Sequence, residues 1–356
     1  MSGTSIDAVD YALCGVDARR IVLRKHWQVA YPATLRRRLH EAATNRSATH
    51  ELGQLHHDLG RFYAEQAAKA GISKPKLIGL HGQTVFHDGD HHATLQIGEP
   101  AWLAQKLGVP VASNFRAADL AAGGQGAPLA TMFHARVFAE RGKHICVNNL
   151  GGISNVTSLD WRKGSSPQII AFDTGPANML IDLAASRATK GRQRFDRNGT
   201  IARRGQLDER LLMHLLKHKF FKQKPPKSTG RELFGESFLD CIRKEVPRLS
   251  DIDLVTTMTE FTARSIALNY ILHLPAAPDR VVLCGGGASN PSLVAAIRAN
   301  VPTEVISCQQ LGWPTQAVEP AAFALLAWLR LHRKPGNIPA TTGASQRVLL
   351  GQISSP

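Results

Sequence analysis

Three glycine-rich turns in this sequence have the composition of a phosphate-binding site. They are Gly3-Thr4-Ser5, Gly151-Gly152 and Gly285-Gly286-Gly287, each beside an apolar run that predicts a strand. Glycine lets the backbone approach a ligand closely, and successive amide groups in such a turn can bind an anion. One such turn alone is usually a tight connection and nothing more. Three of them, each with Ser, Thr or Asn within a few residues, favour a nucleotide-phosphate clamp divided between two lobes.

Two carboxylates are placed where they could take part in catalysis. Asp173 follows the apolar run 169–172 and precedes a Thr-Gly-Pro turn, and ligand sites in open α/β sheets lie at the carboxyl ends of strands. Glu319 precedes Pro320 at the start of an apolar segment. Both have structural alternatives, because Asp is a good helix N-cap and a first-turn acid complements the helix dipole. The pattern alone leaves these alternatives open.

Other kinds of site are disfavoured by the sequence. It contains no Walker A motif, no GxGxxG unit followed by an acid and no GxSxG serine elbow. The histidines between 81 and 92 lack the spacing of a metal site. Asp7 and Asp10 flank the first turn and could hold Mg²⁺ through water, because this ion prefers a few carboxylates together with phosphate oxygens.

The composition is typical of a folded protein with a large core. The chain has 356 residues, of which 43% are hydrophobic and 20% charged, and this length suggests two domains or one large one. Apolar runs fall well short of the ~18 residues that span a bilayer, and the segment after Met1 lacks the features of a signal peptide. We therefore expect a cytoplasmic protein that does not bind membranes, with its five cysteines buried and reduced.

The formal net charge of +15 is concentrated in residues 187–231, where 14 Lys and Arg outnumber 3 Asp and Glu. Such a block can attract nucleic acid, an anionic membrane or small anionic substrates. It lacks the aromatic interleaving of a single-strand-binding surface, and aromatic residues make up only 6% of the chain. We interpret the block as a solvated basic face that steers anions, and we expect no nucleic-acid partner.

Apolar runs alternate with helical patterns along the chain, which predicts βαβ units and a mostly parallel sheet. The predicted strands lie at 9–16, 77–80, 109–112, 145–150, 169–172 and 280–284. The predicted helices lie at 34–45, 51–70, 100–107, 177–188, 291–298 and 320–333. The Gly- and Pro-rich segment 335–356 contains Val348-Leu349-Leu350, which we expect to form a strand that returns to the first lobe.

A series of motifs in fixed order resembles the anhydro-N-acetylmuramic acid kinase family over essentially the whole chain. Each motif is weak alone, and together they are highly specific. They are Met1–Asp7, Leu80-His81-Gly82-Gln83-Thr84, Leu95-Gln96-Ile97-Gly98, Phe115-Arg116, Ala121–Leu129, Asn149–Asn155, Phe172–Pro176, Pro226–Glu232, Cys284–Gly287 and Pro339–Ala344.

The resemblance implies an α/β fold of the two-lobed sugar kinase, Hsp70 and actin type, which is ribonuclease H-like, with ATP in the cleft between the lobes. Residues 1–130 and 335–356 would form the first lobe, with the phosphate-binding turn and the sugar contacts. Residues 131–334 would form the second lobe, with the catalytic Asp and the nucleotide-binding glycine loops. The resemblance also implies a homodimer.

The implied reaction converts ATP, water and 1,6-anhydro-N-acetylmuramic acid into N-acetylmuramic acid 6-phosphate and ADP, a step of peptidoglycan recycling and amino-sugar catabolism. By resemblance, Asp173 is the base that takes a proton from water, and Glu319 assists on the sugar side. Gln96, Arg116, Asp173 and Glu319 are the expected substrate-binding residues. Mg²⁺ would bridge the ATP phosphates, with Asp7 as its protein contact. The expected ATP-binding residues are Gly3, Thr4, Ser5, Ile6, Asp7, Ala8, Val9, Asp10, Gly151, Gly152, Asn155, Gly285, Gly286 and Gly287.

The sequence departs from the family pattern in several places. The family usually has a strand before the Met-Ser-Gly-Thr that begins this chain, and loss of that strand would remove support beneath the phosphate turn. Ala8 and Ala177 stand where the family usually has Gly, and Asn114 stands where it has Asp. The alternative to an active kinase is therefore a catalytically weakened nucleotide- or sugar-binding protein on the same fold. A nucleic-acid-binding protein is a third and less favoured hypothesis.

Overall fold

Strands and helices alternate along most of the chain in the computed structural model, which describes residues 1–3 and 6–356. The strands are β1 (Ala8–Val16), β2 (Ile21–Ala30), β3 (Ile78–Gly79), β4 (Gln83–Asp88), β5 (Ala93–Ile97), β6 (Val111–Ser113), β7 (His144–Leu150), β8 (Ile153–Asp160), β9 (Gln168–Pro176), β10 (Arg280–Cys284), β11 (Glu304–Ser307) and β12 (Gln352–Ser354). The helices are α1 (Ala33–Ala43), α2 (Thr49–Ala68), α3 (Pro100–Leu107), α4 (Ala117–Ala121), α5 (Thr131–Val137), α6 (Asn178–Ala188), α7 (Glu209–Leu215), α8 (Lys219–Lys222), α9 (Glu236–Glu245), α10 (Asp251–His273), α11 (Pro291–Asn300), α12 (Val318–Leu331) and α13 (Pro339–Thr342).

The chain divides into two compact units. The first contains Met1–Val137 and Gln316–Pro356, and the second contains Phe138–Thr315. Each unit has a hydrophobic core of its own. The predicted α/β class is confirmed, and two units are consistent with a two-lobed fold. The assignment of separate catalytic roles to residues 1–130 with 335–356 and to 131–334 stays a prediction.

The second unit is built on a five-stranded sheet with the order β11-β10-β7-β8-β9. β10 pairs in parallel with β7 and β11, whereas β8 is antiparallel to both β7 and β9. The prediction of a mostly parallel sheet is therefore wrong for β8, which the sequence analysis missed. Only Gly151-Gly152 separate β7 from β8, and a connection that short can join only antiparallel strands.

Two reversals of direction give β9 the same direction as β7 and β10. The carboxyl ends of these three strands therefore lie at one edge of the sheet. That edge carries Gly151-Gly152 after β7, Asp173 near the end of β9, and Gly285-Gly286-Gly287 after β10. The sheet thus brings together groups that are more than a hundred residues apart in sequence.

Helix α10 packs against α6 and α11 on this sheet. It begins at the N-cap Ser250, whose Oγ accepts a hydrogen bond from the Asp253 amide at 3.1 Å. Next to it lies a cluster of aromatic rings in mutual contact, formed by Phe220, Phe221, Phe234, Phe238 and Phe261. This cluster supports the segment 223–235, which follows α8. No helix within residues 1–3 and 6–356 is long and apolar enough to cross a bilayer.

The first unit contains two hairpins and a small sheet. β1 pairs with β2, and β4 pairs with β5, both antiparallel. The small sheet has the order β12-β6-β3, with β12 antiparallel to β6. The expected returning strand is therefore present, although it lies at Gln352–Ser354 and not at 348–350, and it pairs within the first unit as predicted.

The buried carboxylate of Asp119 ties the C-terminal segment to the rest of the first unit. It accepts hydrogen bonds from the Gly126 amide at 2.9 Å, from Asn337 Nδ2 at 2.8 Å and from Thr342 Oγ1 at 2.7 Å. Asp119 has no solvent exposure, and a buried carboxylate requires partners of this kind. The motifs 121–129 and 339–344 are neighbours in the fold for this reason.

The start of the chain pairs with β1. Met1 N donates to the Asp10 carbonyl at 2.9 Å, and Asp10 N donates to the Met1 carbonyl at 2.8 Å. Beyond this pair, a cavity of about 790 Å³ lies beside β1, β3 and one face of α12. The expectation that a strand is missing beneath the phosphate turn stays a prediction.

Four of the five cysteines are shielded, but the thiol of Cys241 is exposed, against the expectation that all five are buried. Cys241 lies on α9 and points away from the core-facing side chains of that helix, Leu239 and Ile242.

Candidate active site

Asp173 lies within β9, since this strand continues to Pro176. Its backbone N donates to the Lys227 carbonyl at 3.0 Å, and its Oδ2 accepts from the Thr229 amide at 2.8 Å. The N-cap of α6 is Ala177, without a side-chain hydrogen bond, so the alternative role of Asp173 as a helix cap is wrong. Its carboxylate is oriented by the segment 227–229 instead.

The surroundings of Asp173 suit a base that works near neutral pH. Burial raises the pKa of the Asp173 carboxyl to about 7, and the nearby Glu232 carboxylate adds to the rise. The Thr229 amide and the Lys227 ammonium oppose it and lower this pKa. A general base is most effective when its pKa is close to the working pH. Part of the Asp173 surface remains accessible to solvent, so a water molecule can reach it.

The hydroxyl of Thr229 lies beside the amide that holds Asp173. Its Oγ1 is buried and forms no hydrogen bond with any part of the chain that the structure describes. A buried hydroxyl without a partner costs free energy of about 1–3 kcal/mol. This orphaned group therefore favours a polar ligand next to Asp173.

The two glycine turns of the second unit are in direct contact. Gly285 has a φ of +76°, and a Cβ added to it would lie 2.5 Å from Asn149 Oδ1 and 2.9 Å from the Leu150 backbone. A Cβ at Gly287 would lie 2.7 Å from the Leu150 Cβ. At Gly286 it would meet nothing within 4 Å. Gly285 and Gly287 thus let two backbones approach closely, while Gly286 faces open space where a phosphate could lie.

Asn178 fixes the turn after β7 and was missed by the sequence analysis. Its Nδ2 donates to the carbonyls of Leu150 at 2.9 Å and Gly151 at 2.8 Å. The available signal was an Asn at the first position of a helix, two residues after Thr-Gly-Pro. Asn155 was predicted, and it lies on β8 opposite Asn149 on one side and Asp173 on the other. The strand register therefore places Asn155 between the glycine turn and the carboxylate.

The predicted phosphate turn of the first unit begins at Gly3, but Thr4 and Ser5 lie outside the described residues. The Gly3 carbonyl accepts hydrogen bonds from Ile6 N at 3.3 Å and from Gln83 Nε2 at 3.1 Å. Ile6 has a φ of +56°, a backbone conformation that is costly for a β-branched residue. Such strain is found most often at functional sites.

The residues after this turn differ in what they can offer to a ligand. Asp7 is exposed, whereas Val9 is 2% exposed and can contribute only its backbone. Ala8 begins β1. Asp10 Oδ1 is already 3.2 Å from both His26 Nε2 and Gln28 Nε2. No group of three or more His, Cys, Asp or Glu that could hold a metal ion is present, as far as the described residues extend.

Arg116 is held by two partners, one at each terminal nitrogen of its guanidinium group. Its Nη1 donates to the Gly126 carbonyl at 2.7 Å, and its Nη2 lies 2.9 Å from His81 Nε2. His81 Nδ1 lies 2.8 Å from the Gly82 carbonyl, so Nδ1 carries the proton and Nε2 accepts from Arg116. Burial lowers the pKa of Arg116 to about 10, and the Glu319 carboxylate opposes that change. Its buried Nε has no partner within the described chain and can bind an anion.

Glu319 lies in the first turn of α12, as predicted. Glu319 is exposed as a residue, although the surrounding protein desolvates its carboxyl group and so raises the pKa of that group. The positive charge of Arg116 lowers this pKa, and the negative charge of Asp10 raises it. Glu319, Arg116 and Asp10 are therefore close enough to interact electrostatically, although the sequence separates them widely.

Gln96 lies apart from these charges, on β5. Its Nε2 donates to Thr94 Oγ1 at 2.7 Å, and it lines a cavity of about 750 Å³ together with His81 and Asn114. Neither Arg116 nor Glu319 lines this cavity. Asn114 adopts a φ of +54°, which Asn tolerates better than most residues. The change from the family Asp at this position therefore keeps the backbone geometry.

An aspartate with a raised pKa, at a sheet edge that also carries two glycine turns, is the arrangement expected of an enzyme that uses a nucleotide for phosphoryl transfer. The family profile described as Anhydro-N-acetylmuramic acid kinase matches residues 1–356. The chain belongs to the anhydro-N-acetylmuramic acid kinase family.

Curated relatives with that name match over nearly their full length. The protein from Crocosphaera subtropica is 41% identical over 377 residues, covering 100% of this chain and 98% of the relative. The protein from Gloeobacter violaceus is 41% identical, covering 99% and 97%. The protein from Caldanaerobacter subterraneus subsp. tengcongensis is 39% identical, covering 99% and 95%.

Solved structures show a much weaker likeness. A ROK family glucokinase from Streptomyces griseus, in complex with glucose and AMPPNP, is 13% identical. The match covers 89% of this chain and 98% of that one, with a TM-score of 0.37. At that TM-score the likeness says nothing about this protein's function.

Proposed function

We propose that this protein is an ATP-dependent kinase that opens 1,6-anhydro-N-acetylmuramic acid with water and phosphorylates O6. The products are N-acetylmuramic acid 6-phosphate and ADP. The observation that carries the proposal is the Asp173 carboxylate, held by the Thr229 amide and with its pKa raised to about 7, at the sheet edge that also carries both glycine turns. No observation favours a weakened binding protein.

In the proposed reaction, Asp173 takes a proton from water as the water oxygen attacks the anomeric carbon. The new C1–O bond forms while the bond from C1 to O6 breaks. The released O6 accepts the γ-phosphoryl group, and ADP leaves. Glycoside cleavage usually needs a second carboxyl group as an acid that protonates the leaving oxygen. Here the leaving oxygen, O6, accepts a phosphoryl group in place of that proton. Asp173 therefore acts once, as base.

The glycine turns are the proposed site for the ATP phosphates. Gly286 faces open space between Gly285 and Gly287, and a side chain at either neighbour would clash with β7. Gly151, Gly152 and Asn155 complete this cradle, and the segment Gly3–Asp10 would contact ATP from the first unit. Mg²⁺ fits a site made mostly of phosphate oxygens and water, with the exposed Asp7 as its one carboxylate. When bound, it would neutralise charge on the phosphates.

Arg116 is the proposed partner of the lactyl carboxylate of the sugar. Its unpartnered Nε and its fixed guanidinium plane suit a planar carboxylate. Glu319, close to Arg116, would bind the sugar hydroxyls. Gln96 would contact the sugar from the rim of its cavity. We further propose a cytoplasmic location, where ATP is available, and a homodimer.

The test is ADP formation from ATP on addition of 1,6-anhydro-N-acetylmuramic acid. We expect sugar-dependent ADP from the wild type and at least a thousandfold less from Asp173→Asn. The product should carry its phosphate on O6, and reaction in ¹⁸O-water should place the label at C1. A folded wild-type protein that binds ATP but forms no sugar-dependent ADP would refute the proposal.

A further inference from the structure

Lys227 is a buried lysine in a place where an apolar side chain would fit. It is 9% exposed, and its Nζ forms no ion pair with an Asp or Glu in the described part of the chain. Nζ donates to the carbonyls of Phe220 at 3.2 Å and Phe221 at 3.4 Å, and it lies 4.6 Å from the centre of the Phe220 ring. His273 Nε2 is 3.2 Å away. Lysine is almost never fully buried unless it is paired, and here the partners of Nζ are carbonyl oxygens and an imidazole.

The backbone of the same segment holds the proposed base. The Lys227 carbonyl accepts the Asp173 amide at 3.0 Å, and two residues later the Thr229 amide donates to Asp173 Oδ2 at 2.8 Å. Asp173 is therefore fixed at its backbone and at its carboxylate by the same three residues. A shift of this segment by about 1 Å would break the second hydrogen bond, because such bonds weaken steeply with distance and angle.

The side chain of Lys227 connects this segment to α8. Ser228 is exposed and Thr229 has no side-chain partner, so the hydrogen bonds of Nζ to the end of α8 are its main polar anchor. Phe220 and Phe221 are 1% exposed and belong to the aromatic cluster. The lysine thus links the aromatic cluster to residues 227–229, which also form two hydrogen bonds with Asp173, one to its backbone and one to its carboxylate.

The charge of Lys227 also acts on Asp173. The ammonium lowers the pKa of Asp173, against the effects of burial and of Glu232. Burial in turn lowers the pKa of Lys227 to about 8, and Asp173 opposes that change. His273, the other titratable group next to Nζ, has its pKa lowered by burial. Replacing Lys227 by an apolar residue would therefore raise the pKa of Asp173 and weaken the hydrogen bond that orients its carboxylate.

We propose that Lys227 is a positioning residue for the reaction. Its buried ammonium anchors residues 226–230 to α8, so that the Thr229 amide orients the Asp173 carboxylate. The inference rests on the proposed function for its effect on turnover, but the anchoring itself is measurable without turnover.

The experiment compares Lys227→Met with the wild type and with Lys224→Met, which removes an exposed lysine from the same segment. Hydrogen exchange measured by mass spectrometry on the peptide that contains 226–230 reports the anchoring. We expect at least tenfold faster exchange there in Lys227→Met and no change elsewhere in the sheet. We also expect kcat to fall at least tenfold, KM for ATP to stay within threefold, and the acid limb of kcat/KM to move to higher pH. Lys227→Arg should restore part of kcat, and Lys224→Met should behave as wild type.

The outcomes separate the two proposals. Unchanged exchange, kcat and pH profile in Lys227→Met would overturn the positioning role. Faster exchange together with a wild type that forms no sugar-dependent ADP would support the anchoring and refute the proposed function. If Lys227→Met does not fold, Lys227→Gln replaces it, because Gln can keep one hydrogen bond to α8 while losing the charge. The acid limb should still move, and an unmoved limb in a folded Lys227→Gln would overturn the role.

Discussion

Replacing Asp173 by Asn should stabilise the protein at alkaline pH while abolishing its activity. Burial raises the pKa of this carboxyl from 3.8 to about 7. Three pH units at about 1.36 kcal/mol each set an upper limit of about 4 kcal/mol. Because part of the Asp173 surface is accessible to solvent, we expect about 1–3 kcal/mol. Asn has the same shape, and its carbonyl oxygen can still accept the Thr229 amide.

The stability gained by Asp173→Asn over the wild type should increase with pH. Well below pH 3.8 the carboxyl is protonated in both the folded and the unfolded chain, so it contributes no penalty. As pH rises from 3.8 to about 7, the unfolded carboxyl ionises first, and the folded wild type loses stability relative to the unfolded state. Above pH 7 the loss is complete. Asp173→Asn should therefore match the wild type at pH 4.5 more closely than at pH 8, where it should be the more stable protein.

Urea unfolding at both pH values, with ADP formation measured on the same samples, tests this reasoning. Asp182→Asn is the matched control, because burial, with Asp196 nearby, also raises the pKa of Asp182 to about 7. It should gain stability at pH 8 and keep its activity. Asp160→Asn should do the opposite, because Arg162 lowers the pKa of Asp160 to about 2. An Asp173→Asn protein less stable than wild type at pH 8 would refute the raised pKa.

Three further substitutions test other parts of the site. Gly285→Ala should lower the free energy of unfolding by about 2 kcal/mol, because its φ is positive and the added Cβ would clash with β7. It should also raise KM for ATP, whereas Gly286→Ala should fold normally. Equal unfolding curves for the two variants would contradict the close approach of Gly285 to β7. Arg116→Lys should raise KM for the sugar at least tenfold with little change in KM for ATP, since Lys cannot form a bidentate contact. Steady-state kinetics with each substrate varied in turn measure both constants, and an unchanged KM for the sugar would contradict this role of Arg116. Glu319→Gln should lower kcat about tenfold or more at unchanged melting temperature, and wild-type kcat would exclude a role in the reaction.

The order of apolar residues, Pro and Gly along the chain was sufficient to predict the bounds of some helices and strands. The helix 100–107 is reproduced at both ends, because Pro100 suits the first turn and Gly108 adopts a φ of +61° as its cap. The strand Arg280–Cys284 is likewise reproduced in full. The position of Asp173 near the carboxyl end of an apolar strand was also predictable, but the pattern left open whether it acts in catalysis or as a helix cap. These features depend on neighbours in sequence.

Features that depend on distant partners were not predictable in this way. Nothing in the local sequence tells that the Thr229 amide meets Asp173, 56 residues earlier. Nor does it tell that the Lys227 ammonium lies against His273, 46 residues later. The contact between Gly285 and Asn149 is of the same kind. Such pairs are fixed by strand order and by the packing of α8, which one sequence does not reveal.

The error in sheet topology had no effect on the location of the site, and the reason is geometric. In the predicted sheet, β9 would run parallel to β7. In the structure, β8 is antiparallel to both strands, so β9 again has the same direction as β7. In both cases the carboxyl end of β9 lies beside Gly151-Gly152. What β8 adds is Asn155, opposite both Asn149 and Asp173, and hence a polar side chain between the proposed phosphate cradle and the proposed base. A parallel sheet without β8 would place these two groups next to each other with nothing between them. The hairpin of β8 therefore sets the separation between the glycine turn and the carboxylate.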